Sequence, residues 1–137
     1  MELHDADAFL HAHAQAVLAV PRTDGSPHVS RIVHAFDGQV ARVSLTDSRV
    51  KTGLLRDAGT ASLHVRGDDD WHWVTLECDA ELTAVAAAPD DDVVGELLEM
   101  YEAVQGQHPD PDEFRAAMVD DGRLVLRLTP RRVYGQL

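Results

Sequence analysis

The sequence predicts an α+β fold that is mainly β: a small antiparallel barrel of about six strands with helices covering it. Three observations predict it. Short apolar or alternating runs recur between strong turn signals over the first 66 residues, and one more closes the chain. A long alternating run occupies roughly 71–85, with apolar residues on one face and polar ones on the other. Two capped amphipathic stretches, ending at Gly106 and Gly122, separate that run from the last strand. There is no internal repeat and no low-complexity segment, so residues 1–137 are expected to form one domain.

Residues 5–14 (DADAFLHAHA) predict a short helix with Phe9 and Leu10 as its apolar contacts. His11 and His13 are two apart and point to different faces, so no metal site is expected there. Residues 16–22 read as an apolar strand, and Thr23-Asp24-Gly25-Ser26-Pro27 as a turn. Residues 28–36 form the second strand, Asp37-Gly38 is a two-residue hairpin signal, and 39–46 return as the third strand. A short helix follows, stopping at Gly59, and 60–66 form a fourth strand.

In the 71–85 strand, Val74, Leu76, Cys78, Ala80 and Leu82 make the apolar face, while Trp71 and Trp73 fall on the polar one. Tryptophans placed there cover a partner subunit, stack on a ligand, or pack under a loop of their own chain. The first late helix starts at Asp90-Asp91-Asp92, with Val94, Leu97, Leu98, Tyr101 and Val104 as its stripe. The second has Asp110 as cap, Pro111 in the first turn, and Phe114, Ala117 and Met118 inward. Residues 123–129 form the last strand, ended by Pro130, with Tyr134-Gly135 in a short tail.

The stretch Ser44–Asp57 holds the main functional signal. It reads as a strand end, a tight turn and a helix start, with Asp47 or Ser48 as candidate cap. A helix start offers unpaired N–H groups and partial positive charge, which suits an anion. Arg49 and Lys51, the chain's single lysine, add full positive charges where the dipole alone prefers acids. The arrangement points to a bound anion, most simply a phosphate; the alternative is two solvated surface charges.

Charge supports a small anionic ligand. The net charge is −12, yet residues 22–66 carry seven basic residues against four acidic ones. An acidic chain with one basic island is unsuited to a nucleic-acid backbone, so no nucleic-acid partner is expected. No apolar run approaches the ~20 residues a membrane helix needs, and no basic leader opens the chain. With the single Cys78, these features lead to an expected cytoplasmic location and no membrane partner. Cys78 reads as a buried packing thiol. His28 and His34 share a strand face with Ser30 and could line a pocket. No phosphate-binding glycine loop, nucleophile elbow or zinc spacing is present, so any catalysis is expected to depend on a cofactor.

The order of motifs T-D-G-S-P-H-V-S, V-S-L-T-D-S-R-V-K-T, L-R-D, D-W-H-W, a helix pair and R-L-V-L-R-L-T-P-R-R-V-Y-G resembles the split β-barrel flavin-binding family, which includes pyridoxamine 5′-phosphate oxidase. R-V-K-T and A-A-A-P-D-D-D are most similar to the actinobacterial branch that uses the deazaflavin coenzyme F-420. The resemblance covers about residues 16–135. It implies a six-stranded antiparallel split β-barrel, FMN-binding-like and dimeric, in which the reduced deazaflavin delivers a hydride to a small electron-poor or conjugated organic substrate.

By position, Ser44, Arg49, Lys51 and Thr52 would hold the cofactor phosphate. His28, Ser30, Arg31 and Ile32, with Leu45 and Val50, would border the ring system or its side chain, and Trp71 and Trp73 would come from the other subunit. No catalytic side chain and no metal is implied. The branch commonly has Arg-Asn after R-x-K-T, where this chain has Gly53 and Leu54; Arg31 would replace the lost cation. The alternatives are an FMN-binding oxidoreductase of the pyridoxamine 5′-phosphate oxidase type and a non-catalytic deazaflavin-binding protein.

Overall fold

In a computed structural model describing residues 1–137, six strands close an antiparallel barrel in the order β1-β2-β3-β6-β5-β4. The strands are β1 (Gln15–Pro21), β2 (Pro27–Phe36), β3 (Ala41–Thr46), β4 (Thr60–Arg66), β5 (Trp73–Leu82) and β6 (Arg123–Gln136). The helices are α1 (Asp7–Ala12), entered through a 3-10 turn at Leu3–Ala6, then α2 (Val50–Ala58), α3 (Asp92–Gln105) and α4 (Pro111–Asp120). The expected α+β barrel with helical cover is therefore present.

Strand alternation builds the core. Leu18, Val43, Leu63, Leu76, Leu124, Leu126 and Leu128 point into the barrel and are almost fully buried. Each such side chain contributes roughly 1.5–3 kcal/mol in transfer from water. Leu10 of α1 and Leu55 of α2 complete the same cluster. A second, smaller cluster lies outside the barrel, where Leu97 and Met100 of α3 cover Val125 of β6, with Phe114 and Met118 of α4 packed against them.

One carboxylate fastens α3 to the barrel wall. Glu96 accepts from Arg42 Nε of β3 (2.9 Å) and from Arg127 Nε and Nη2 of β6 (3.0 and 2.6 Å). Its side chain is 17% exposed. Its hydrogen bonds with Arg127 outweigh burial and hold the carboxyl below the usual glutamate range.

Several local expectations give way to specific geometry. The Asp37-Gly38 hairpin exists, but its loop spans residues 37–40, and β3 begins at Ala41 rather than 39. Asp37 Oδ1 accepts from the amides of both Gln39 and Val40 (2.8 Å each), a side-chain turn that absorbs two more residues. Pro130 does not end the last strand, which runs on to Gln136 and includes Tyr134 and Gly135. Glu77 pairs with Arg132 and Cys78 with Pro130, so Arg131 is an extra residue in a bulge, where a proline without N–H is tolerated. At Gly135 a Cβ would lie 2.2 Å from Trp73 O, so only glycine admits the close approach of β5 and β6. The 71–85 strand is shorter than expected, and Trp71 lies outside it.

Neither Asp47 nor Ser48 caps α2. The cap position is Arg49, in extended conformation and with no side-chain acceptor; the Asp47 carboxylate is taken by Arg56, in the last turn of the helix. Gly59 ends α2 as expected, with φ 66°. Cys78 is buried, and burial pushes its thiol up to about 12.

Replacing Glu96 by Gln should lower stability by about 1–3 kcal/mol in urea unfolding at neutral pH. A carboxyl held low stabilises above its unfolded value and loses that contribution as pH falls through its folded one. The gap between wild type and variant should therefore close below the ordinary glutamate value of 4.5. Gly53 is mid-helix with nothing within 4 Å of a Cβ, so Gly53→Ala should raise stability by about 0.5–1 kcal/mol in the same assay.

Candidate functional site

Three residue pairs, His34↔Val43 to Phe36↔Ala41, join β2 to β3. Beyond them the strands diverge: β2 continues along β1 from Gln15↔Val33 to Pro21↔Pro27, while β3 continues along β6 through Ser44↔Val125 and Thr46↔Arg123. The opening between them is the mouth of a cavity of about 700 Å³. The first turn of α2 sits over it, anchored by Thr52, whose buried hydroxyl donates to Thr46 O (2.8 Å).

Arg31, Arg49, Lys51 and Arg123 line this cavity, and no carboxylate does. Arg31, Arg49 and Lys51 belong to no ion pair in a chain of net charge −12. Arg31 Nη2 reaches Gln15 Oε1 at 3.4 Å, and Lys51 Nζ donates to Ser30 Oγ (3.1 Å). Burial, then the adjacent Arg49 charge, pull the Lys51 ammonium below the usual lysine range. An anion between these groups would reverse that shift. The amides of Val50 and Lys51 have no protein acceptor, and no acidic residue occupies the first turn of α2. Uncapped amides, a helix dipole and four cations together form an anion cradle.

Of the residues expected at a cofactor site, the mouth brings together Arg31, Ile32, Ser44, Leu45, Arg49 and Lys51. Ser30 joins through Lys51, and Thr52 lies beneath as an anchor. Val50 is largely exposed beside the cradle. His28 shares the Ser30 face of β2, with Nδ1 buried and unpartnered, but does not line the cavity. His34 does not line the mouth but borders a smaller cavity beneath α3 and α4; its Nε2–H donates to His13 O (2.8 Å), and burial lowers its basicity.

Trp71 and Trp73 do not line the mouth of their own chain. Trp73 stacks near His64 (5.5 Å between centroids) and meets Tyr134 edge-on (6.1 Å). Trp71 is 71% exposed, on a loop held by Asp69 Oδ1, which accepts from the amides of Trp71 and His72 (2.8 Å each).

Sequence reasoning missed Gln15, Val33, Thr46 and Arg123. The outward position of Arg123 follows from the alternation of β6, but its place beside Thr46 depends on a pairing across 77 positions of sequence.

No protein-family model matches the sequence. The fold itself is shared: the chain has the antiparallel split barrel found in proteins of the pyridoxamine 5′-phosphate oxidase type. It aligns with an F420 reductase at 20% identity and a TM-score of 0.70, over 93% of this chain and 94% of that one. A Listeria innocua protein named as a candidate pyridoxamine 5′-phosphate oxidase aligns at 19% identity and 0.69, over 98% of both chains. A FAD-binding protein from Mesorhizobium loti aligns at 16% identity and 0.68, over 98% and 92%.

Lys51→Ala should weaken binding of a phosphate-bearing ligand by about 1.5–3 kcal/mol without unfolding the protein. Wild-type affinity should fall as pH rises through the lowered Lys51 value, and the variant should lack that step; calorimetric titration across pH reads both.

Proposed function

We propose that this chain is a coenzyme F-420-dependent oxidoreductase, acting on a small electron-poor or conjugated organic substrate as a homodimer. The observation that carries the reading is the cradle: four cations and two free amides converging where no carboxylate intrudes. That donor set fits a phosphate and a further acidic group on one ligand.

Arg49, Lys51 and the first amides of α2 would hold the phosphate. Arg31, at the same mouth although distant in sequence, would take the place of the cation that Gly53 and Leu54 do not supply. Ser44, Ile32 and Leu45 would border the remaining ligand. When bound, the reduced deazaflavin supplies a hydride. The protein's own part is to fix the ligand's position and exclude water from one face of it. This reading assigns no side chain as proton donor, and solvent would serve that role.

The dimer reading is supported by apolar side chains standing free on the barrel's outer surface. Val29 and Val33 of β2, Tyr134 of β6 and Trp71 are all exposed. A second copy would cover side chains of this kind, and in this reading the Trp71 loop would serve the partner's mouth.

An FMN-dependent oxidoreductase of the pyridoxamine 5′-phosphate oxidase type is the second reading, favoured by the same cradle, because FMN also ends in a phosphate. A non-catalytic deazaflavin carrier is the third.

Fluorescence titration of the purified protein with oxidised coenzyme F-420 and, in parallel, FMN separates them. Micromolar or tighter deazaflavin binding with weak FMN binding is expected, with turnover of an electron-poor acceptor. The reverse preference selects FMN, binding without turnover selects the carrier, and binding of neither overturns the enzyme reading.

A further inference from the structure

The cationic mouth has a neighbour, and Arg123, the one cradle cation given no ligand role above, lines both. Where α3 and α4 lean over the outward face of β2 and β3, they leave a chamber of about 280 Å³. Its walls are Leu97, Met100 and Val104 of α3, Phe114 and Met118 of α4, and Val33 of β2. No carboxylate lines it, although residues 90–121 contain eleven acidic side chains against the single Arg115. None of these acids lines the chamber, although Glu96 and Asp121 lie against the lining residues Arg42 and Arg123.

Three residues line both cavities: Val33, Ser44 and Arg123. The two spaces therefore share a wall, and a cation stands in it. Arg123 is held loosely. Its Nε is buried without a hydrogen-bond partner, the nearest carboxylate is Asp121 at 3.9 Å, and Nη1 reaches Ser44 Oγ only at 3.5 Å. A guanidinium with a desolvated, unsatisfied N–H beside an apolar cavity is complementary to an anionic group whose remainder is apolar. Methionines at 100 and 118 let such a chamber adapt to flat rings.

We propose that the chamber binds the apolar, aromatic body of an organic anion while Arg123 holds its charge. The occupant is the substrate of the oxidoreductase proposed above, and to that extent the inference rests on that reading. The class excluded is equally definite: organic cations find no counter-charge in either space.

The probes are 8-anilinonaphthalene-1-sulfonate and N-phenyl-1-naphthylamine, the same ring system with and without the sulfonate. The expected result is stoichiometric sulfonate binding to the folded protein, weakened about tenfold or more by Arg123→Gln, with the neutral dye unaffected by that substitution. Val104→Trp, which fills the chamber from a half-buried position, should abolish binding of both. Equal affinity of wild type and Arg123→Gln for the sulfonate would overturn the assignment of Arg123. Undiminished dye binding by Val104→Trp would overturn the chamber.

Calorimetry of the sulfonate with and without saturating coenzyme separates this inference from the previous one. Binding of both together is expected. Complete mutual exclusion would place the coenzyme's own ring in the chamber and overturn the substrate assignment. Dye binding by a protein that takes up neither coenzyme F-420 nor FMN would remove the redox function and leave the amphipathic site standing.

Discussion

The early end of the β2–β3 ladder is the constraint on which the site depends. Had those strands stayed paired along their length, Ser44 and Thr46 would face a neighbouring backbone and no opening would exist. Because pairing stops after His34↔Val43, β2 is held by β1 and β3 by β6, and the gap between them must be filled by something else. Part of it is filled by the start of α2, fastened through Thr52 to Thr46 and through Lys51 to Ser30. The helix terminus is thereby aimed into the gap with its amides uncapped. Local chain geometry, rather than any single catalytic side chain, creates the binding chemistry.

Glu96 complements this from the other side. By gathering Arg42 and Arg127, it removes two cations from the surface and seats α3 against β3 and β6. Arg31, Arg49 and Lys51 at the mouth remain without ion-pair partners and Arg123 has only Asp121 at 3.9 Å, while Arg42 and Arg127 are neutralised. Placement of acids thus decides which arginines can meet a ligand. It also sets how far the hairpin stands from the sheet, and hence the height of the apolar chamber.

Much of the fold was legible because its signals are local. Short runs bounded by turn and stop signals located β1 and β4, and alternation located the body of β5; Gly59, Asp91, Asp110 and Gly122 marked helix ends. The misreadings also have local causes. Proline normally terminates a strand, but here a bulge opposite Cys78 carries β6 past Pro130. An acidic residue before a helix normally caps it, but Asp47 is already engaged by Arg56. For the site, the segment around Arg49 and Lys51 announced itself by charge in an unfavourable place. Arg123 gave no such sign, since it reaches the mouth through pairing between strands remote in sequence, and Gln15 comes in only as the partner of Val33 at the start of β1. The two tryptophans were recognisable as lying off the core face, and Trp73 is found among His64 and Tyr134 of its own chain.

Burial of Cys78 on the inner face of β5 bears on how the molecule meets oxidants. With its thiol pushed up to about 12, the sulfur stays protonated at any physiological pH and is screened from solvent. Thiolate, not thiol, attacks disulfides and peroxides. The chain therefore offers no sulfur that a peroxide could convert to a sulfenic acid, and none that could join two copies covalently. Under the proposed reading, a reduced carrier held at the mouth would meet no protein thiolate of its own chain.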